Sequence, residues 1–274
     1  MNACHRKTSS LTLGFLTLGA NAAPLDVVDA GAEAGFGAVG PRMSGRFPGD
    51  AWACGPSDFP RVRQAAAARK VRISSVSGYY ISPKVQIGHL VANVEAARAV
   101  GAPMILQGYF DPDHARVVPL LRDYAAAAQD AGVKIALEFM PMSELKTIGQ
   151  TLEVIAASGA SNIGLLIDTL HLARSGATAA DVAALDPSRM YLTQLCDAPA
   201  QLAATTTLFE EAMSGRMYLG DGGLDLAGVV RALPPDAEIE LETPVVADAG
   251  LPGPQRARLA AQAAQRFFDR HFAG

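Results

Sequence analysis

"IGLLIDTLHLARSG", residues 163–176, runs an apolar segment straight into an acid. Ile163, Leu165, Leu166 and Ile167 show no helical stripe, so the segment reads as a short buried strand. Asp168 ends it and His171 follows three positions later. A carboxylate at that place is costly unless something pairs with it. Outward from here the same unit repeats. Candidate strands fall at 11–18, 36–41, 71–77, 103–107, 133–138, 163–168, 190–195 and 237–242. Ala-rich amphipathic patterns separate them at 24–34, 57–69, 84–100, 113–131, 144–158, 178–185 and 225–233, with a last one at 254–271. Ser57 with Asp58, Asp111-Pro112 and Asp225 supply helix caps, and Gly35 and Gly132 precede strands. Alternation of this kind predicts an α/β protein, a (β/α)8 TIM barrel forming one domain over residues 1–274. The rival is a doubly wound open sheet. It is weakened because no G-x-G-x-x-G follows a strand and no P-loop lysine motif is present.

Composition narrows the partners. Half of the 274 residues are hydrophobic and 18% are charged, enough apolar material for a sizeable core. The formal charge of −4 and the lack of a Lys/Arg-rich run exclude nucleic acid and an anionic membrane as main partners. Cys4, Cys54 and Cys196 are too few and too scattered for a disulfide framework, which fits a reduced, cytoplasmic setting. Residues 5–24, "HRKTSSLTLGFLTLGANAAP", resemble a secretory signal. The reading preferred here is that Leu11 to Leu18 is the first core strand, because without it the barrel lacks one. No segment approaches the ~20 apolar residues of a membrane span.

Catalytic groups of such a barrel sit where strands end and βα-loops begin. The fifth candidate strand ends at Glu138, the sixth at Asp168, the seventh at Gln194 with Asp197 beyond, and the eighth at Glu242. Three carboxylates at one level repel one another in a partly dry cavity, and a divalent cation resolves that repulsion. Oxygen ligands favour Mg²⁺ or Mn²⁺ over zinc. Singly, each residue has an ordinary reading. A strand-end glutamate is usually solvated, and Glu240 is read that way; Gln194 suits a satisfied core amide, and His171 a structural histidine. All four strand ends together favour a metal site.

These residues resemble the sugar phosphate isomerase/epimerase family, the barrels similar to xylose isomerase and endonuclease IV. The likeness rests on "ALEFMP", "LLIDTLHLARSG", "QLCDAP", "RMYLGDGGLDL" and "ELETP", and less specifically on "GAEAGFGAVGPRM". It implies a xylose-isomerase-like barrel with Glu138, Asp168, Gln194 and Glu242 as metal ligands. It also implies Glu138 and Glu242 as acid/base groups, with His171 and Arg216 gripping the substrate. Many sugar epimerases of this kind carry histidine where this chain has Gln194. Glutamine within "QLCDAP" looks more like the 3-dehydroshikimate dehydratase branch.

Both branches begin by removing a proton beside a carbonyl, helped by a Lewis-acid metal. The expected activity is thus a metal-dependent isomerase or epimerase of a polyhydroxy ketone. The alternative is a dehydratase (lyase) of the 3-dehydroshikimate or inosose type, with His171 donating to the departing hydroxyl. Arg216, among Gly215, Gly220, Gly222 and Gly223, is placed to close over a carboxylate, phosphate or hydroxyl; outside the resemblance it reads equally as a surface arginine. In the loops after the earlier strands, Arg42, Trp52, Tyr79, Tyr80, Gln107 and Tyr109 suggest a polar, aromatic-walled pocket. Of these, Gln107, Tyr79 and Trp52 are the expected substrate contacts, although the aromatics serve equally well as loop anchors. DNA repair would require a histidine-rich multi-zinc site, and the chain has five histidines. A non-catalytic sugar-binding barrel stays compatible with the pattern, and so does a homo-oligomer.

Overall fold

A computed structural model describes residues 4–273. Parallel strands run β1 (Thr12–Gly14), β2 (Ala38–Gly40), β3 (Arg72–Ile73), β4 (Val76–Ser77), β5 (Met104–Gln107), β6 (Lys134–Glu138), β7 (Ile163–Asp168), β8 (Met190–Leu195) and β9 (Ile239–Leu241). Their order in the sheet is β3-β2-β1-β9-β8-β7-β6-β5-β4. The two end strands, β3 and β4, are halves of one segment parted by Ser74 and Ser75. Ser74 N bonds Val39 O and Ser77 N bonds Pro41 O, so the segment keeps beside β2 across its break. The sheet therefore closes through its third strand into a TIM barrel. The break falls where the serine hydroxyls bond other groups: Ser75 Oγ donates to Glu240, and Ser74 Oγ to Val39 O.

The strands match the sequence expectation within a few residues, with one informative difference. The first was expected over 11–18, but β1 ends at Gly14 and Phe15–Leu18 turn as a 3-10 helix. Thr12 and Leu13 pair with both β2 and β9. β7 is buried throughout, as a parallel strand covered on both faces must be.

Ten α-helices are described: α1 (Pro24–Glu33), α2 (Phe59–Arg69), α3 (Ile87–Val100), α4 (His114–Asp130), α5 (Ile148–Ser158), α6 (Thr169–Arg174), α7 (Ala179–Ala183), α8 (Leu208–Ser214), α9 (Leu226–Ala232) and α10 (Gly253–Phe272). α10 buries Ala257, Ala260, Ala261, Ala264, Phe267 and Phe268 along one stripe, and it packs on α1. Asp225 caps α9 as expected. α4 is capped by Asp113, because Asp111 instead bonds Asp113 N and the Arg116 guanidinium. Two helices were not expected, α6 and α8. α6 has six residues, four of them buried, so no amphipathic stripe marks it. α8 is opened by a capping box between Thr207 and Glu210. Among the described residues no helix is long and apolar enough to cross a membrane.

Candidate functional site

The register of β6–β9 sets one wall of a cavity at the C-terminal mouth of the barrel. Asp168 pairs with Gln194 across β7 and β8, and Gln194 with Glu240 across β8 and β9, which puts their side chains at neighbouring levels. Glu138, Gln194, Glu242, His171 and Arg216 all line this cavity. Asp168 is fully buried behind them.

Asp168 is tied on both oxygens. Oδ1 accepts from Leu170 N at 2.8 Å and His171 N at 3.1 Å, so the carboxylate caps α6 and thereby fixes His171. Oδ2 meets Arg216 Nη1 at 2.5 Å. Arg216 also reaches Glu242 through Nη2 at 3.1 Å and holds itself to Ala212 O through Nε at 2.9 Å. This arginine, 3% exposed, is no surface residue. Its loop is pinned by Asp197, whose carboxylate accepts from Gly220 N, Gly222 N and Leu224 N.

Gln194 Nε2 donates to Glu240 Oε1 at 2.7 Å and Glu242 Oε1 at 3.1 Å. With its N–H bonds so used, the carbonyl oxygen is the amide's remaining ligand atom. Glu240 corrects the sequence expectation of a solvated residue. It is 1% exposed and fills the barrel interior. The room comes from the neighbouring strands β1 and β2: a Cβ at Gly14 or Gly40 would run into its carboxylate. Period-2 alternation hides such a residue, since the face inside a closed barrel is as buried as the face under the helices.

Electrostatics separate these acids. Burial raises Glu138 well above the usual carboxylate range, and Glu242 and Asp168 add to the rise. Burial also raises Glu242, against the pull of Arg216. It works against an ionised Asp168 too, but Arg216 and His171 outweigh it and hold that carboxyl below its usual value. Glu240 is pushed up to about 8, chiefly by burial. Burial pushes the His171 imidazole down to about 4, so it is neutral at pH 7. Its Nε2 lies 3.6 Å from Glu138 Oε1.

The donor set fits a divalent cation. One oxygen each of Glu138 and Asp168 and a ring nitrogen of His171 lie within 4.8 Å of one another. Arg216 already offsets part of the charge on Asp168 and Glu242, and the uncompensated pressure remains on Glu138. A neutral imidazole and an amide oxygen are ligand atoms in the form a metal needs.

The opposite wall differs from expectation in its residues. Phe15, Arg42, Arg46, Tyr80 and Phe110 line it, with Met140, Met142 and Met213 nearby. Tyr79, Gln107 and Trp52, the expected substrate contacts, do not line this cavity. Gln107 Nε2 donates to Tyr79 O and Gly108 O, holding two loop backbones together. Tyr79 packs edge-on against Trp52 and His89. Trp52 lines an adjoining pocket that shares Arg42 and Arg46 with the main cavity. Tyr109 bonds His114 Nδ1 while its neighbour Phe110 stacks on Tyr80. Sequence reasoning missed Phe15, Arg46 and Phe110; the one signal for Arg46 was its spacing of four from Arg42 in a glycine-containing loop.

The family model described as a xylose isomerase-like TIM barrel matches residues 28–270. An inosose isomerase of Halalkalibacterium halodurans is 34% identical over 82 residues, 29% of this chain and 29% of that protein. A 3-dehydroshikimate dehydratase of Pseudomonas aeruginosa is 29% identical over 140 residues, 51% of this chain and 20% of the relative. The matches thus span less than a third of either curated relative. Among solved structures, the IolI protein with a bound zinc atom superposes with a TM-score of 0.77 at 16% identity, covering 97% of this chain and 100% of that one. At that identity the likeness speaks for the fold alone.

Proposed function

The chain belongs to the xylose isomerase-like TIM barrel family, and from that premise we propose a divalent-metal-dependent enzyme that moves a proton beside the carbonyl of a polyhydroxy ketone. The observation that carries this reading is the convergence of Glu138, Gln194, Glu242, His171 and Arg216 on one cavity, with Asp168 buried behind and paired to Arg216. Glu138, Asp168, Gln194, Glu242 and His171 are the residues that would hold the metal. Bound there, it would supply Lewis-acid polarisation of the substrate carbonyl.

The chain's own groups divide the remaining work. Glu242 is anchored by Arg216 and Gln194, whereas Glu138 has only the 3.6 Å contact to His171 among these groups. Glu138 is therefore the freer proton carrier, and Glu242 the fixed partner on the far side of the site. Arg216 holds Asp168 and Glu242 in place and presents positive charge to a substrate oxygen. Phe15, Tyr80 and Phe110 exclude water from the cavity.

Dehydration is the second reading, and Gln194 favours it. Its amide is locked by Glu240, and the chain matches a 3-dehydroshikimate dehydratase over about half its length. In an elimination, Glu138 takes the proton beside the carbonyl and a carbon–carbon double bond forms as the β-hydroxyl leaves. The proton that Glu138 has taken passes on to that hydroxyl, with neutral His171 beside it positioning the transfer. The products are the conjugated ketone and water, and Glu138 returns to the carboxylate. The test is solvent exchange in deuterated water over ketoses, inososes and 3-dehydroshikimate, with and without Mn²⁺ or Mg²⁺. Metal-dependent exchange lost in Glu138→Gln is expected. Its absence from every ketone while sugars still bind would leave a binding barrel. An ultraviolet-absorbing product decides for the dehydratase, and epimer interconversion for the isomerase.

A further inference from the structure

Two arginines face the acidic wall across the cavity, and neither forms an ion pair among the described residues. Arg42 is 8% exposed and lies with its guanidinium 4.5 Å from the Phe15 ring centre. Arg46 sits one loop turn on, its Nη2 touching only Met213 Sδ at 3.6 Å. The Nε atoms of both are buried without a hydrogen-bond partner. The other two buried arginines are satisfied, Arg216 by Asp168 and Arg256 by Leu18 O at 2.7 Å. Burying an unpaired guanidinium is expensive, so a fold that keeps Arg42 in that state with the half-buried Arg46 beside it needs a reason.

Among the described residues no carboxylate lies within ion-pair distance of either; Glu242 acts on them only from farther off. Tyr80 reaches the Arg42 guanidinium, but burial raises its hydroxyl above the ordinary value, so it is a neutral partner. Glu242 is engaged by Arg216 and Gln194. Asp50 Oδ2 accepts from Arg46 N and Phe47 N, which fixes the loop backbone. Arg46 O in turn accepts from Tyr80 N at 2.7 Å. Burial is the main force lowering the Arg42 pKa, and Arg46 adds to it. The loop thus holds both cations in place with donors free, and both line the main cavity and the pocket beside it.

We infer that Arg42 and Arg46 form an anion subsite, so that the substrate is a polyhydroxy ketone carrying a carboxylate or a phosphate. The planar fork of arginine suits either group. Its carbonyl lies at the Glu138–Glu242 wall and its anionic group at the arginines. The inference rests on the proposed proton-transfer reading, because it takes the acidic wall as the reacting end.

Two ligand pairs, titrated by calorimetry into the Mn²⁺-loaded protein, test it. One is 3-dehydroshikimate against its carboxamide; the other is fructose 6-phosphate against fructose. Hydrogen bonds to a charged group are worth ~1.5–3 kcal/mol, so the charged member of one pair should bind roughly ten- to a hundredfold more tightly. The pair that shows the preference identifies the anion. Arg42→Gln with Arg46→Gln should abolish the preference while leaving the neutral member's affinity within about threefold. Arg46→Gln alone, at the less buried arginine, should cut it by about half of its free energy. Equal binding within both pairs in the unmodified protein overturns the subsite without any variant, and so does a preference that survives the double substitution. Proton exchange from the neutral ligands is followed in the same samples. Exchange without charge preference sinks the subsite alone; charge preference without exchange keeps the subsite and sinks the proton-transfer reading.

Discussion

The acidic wall grows from strand ends, whereas the wall of arginines and aromatic rings grows from loops. Glu138, Asp168, Gln194 and Glu242 stand on β6–β9 or one residue beyond, and the pairing register sets their levels. Phe15, Arg42, Arg46, Tyr80 and Phe110 follow β1, β2, β4 and β5, in segments held by side-chain-to-backbone bonds. On the first wall every charge but that of Glu138 meets a strong partner. On the second, two cations have none. A rigid wall suits chemistry that must not move, and a loop-borne wall with open donors suits recognition.

The largest effect should come from the acidic wall. Glu138→Gln keeps the shape and removes the proposed proton carrier, and general acid–base help is worth ~10²–10⁴-fold. Proton exchange from the accepted ketone should fall by that range. Asp168→Asn should lose Mn²⁺ in calorimetry while circular dichroism keeps the fold. Undiminished exchange in the first and unchanged metal affinity in the second would reduce this wall to a structural charge network.

Arg216 comes next. Cutting a buried pair by removing one partner costs about 3–5 kcal/mol, because the abandoned charge stays buried. Arg216→Gln abandons Asp168 and Glu242 together, so urea unfolding of the metal-free protein should show a loss in that range. Mn²⁺ should restore more stability to this variant than to the unmodified chain, since the freed carboxylates gain from a cation. An equal metal response in both would show that guanidinium and metal do not share these oxygens.

The same division explains what the sequence disclosed. Alternating strands and helices, and the acids at strand ends, follow from period and register, which amino-acid order displays directly. Loops have no period. Tyr79 and Tyr80 are neighbours, as are Tyr109 and Phe110, yet in each pair only the second residue lines the cavity. Gln107 was an expected substrate contact, but its amide bridges Tyr79 O and Gly108 O. Glu240 was hidden for a third reason: the glycines that make room for it lie two hundred positions away in sequence, on strands brought together only by closure.

Those glycines join the two walls, which gives a smaller prediction. Gly40 on β2 belongs to the arginine side, and a Cβ there would meet the Glu240 carboxylate and Ser75 Oγ. Overpacking of a buried site costs about 1–3 kcal/mol, so Gly40→Ala should destabilise by that amount. Displacing Glu240 also frees the Gln194 amide to rotate, so Mn²⁺ affinity should fall although no ligand has changed. Gly31→Ala, a clash with Val39 away from Glu240, is the control: it should cost stability and leave metal affinity alone.

The smallest effect should come from Arg42, and it bears most directly on the contrast between the walls. Arg216 and Arg42 are both buried arginines lining the same cavity. Removing Arg216 strands two carboxylates; removing Arg42 strands none, because no carboxylate pairs with it. What Arg42→Gln gives up is the contact with the Phe15 ring and the Tyr80 bond. Such a cation–ring contact is worth ~0.5–2 kcal/mol. What it gains is release from holding a desolvated charge beside Arg46. The two offset, and the net change in urea unfolding should lie within about 1 kcal/mol of zero, in either direction. A loss as large as that of Arg216→Gln would mean that Arg42 has a counter-charge in the folded protein and that its wall is as closed as the acidic one. A near-neutral result leaves a cation kept at no gain to stability, and such a residue is retained for what it binds.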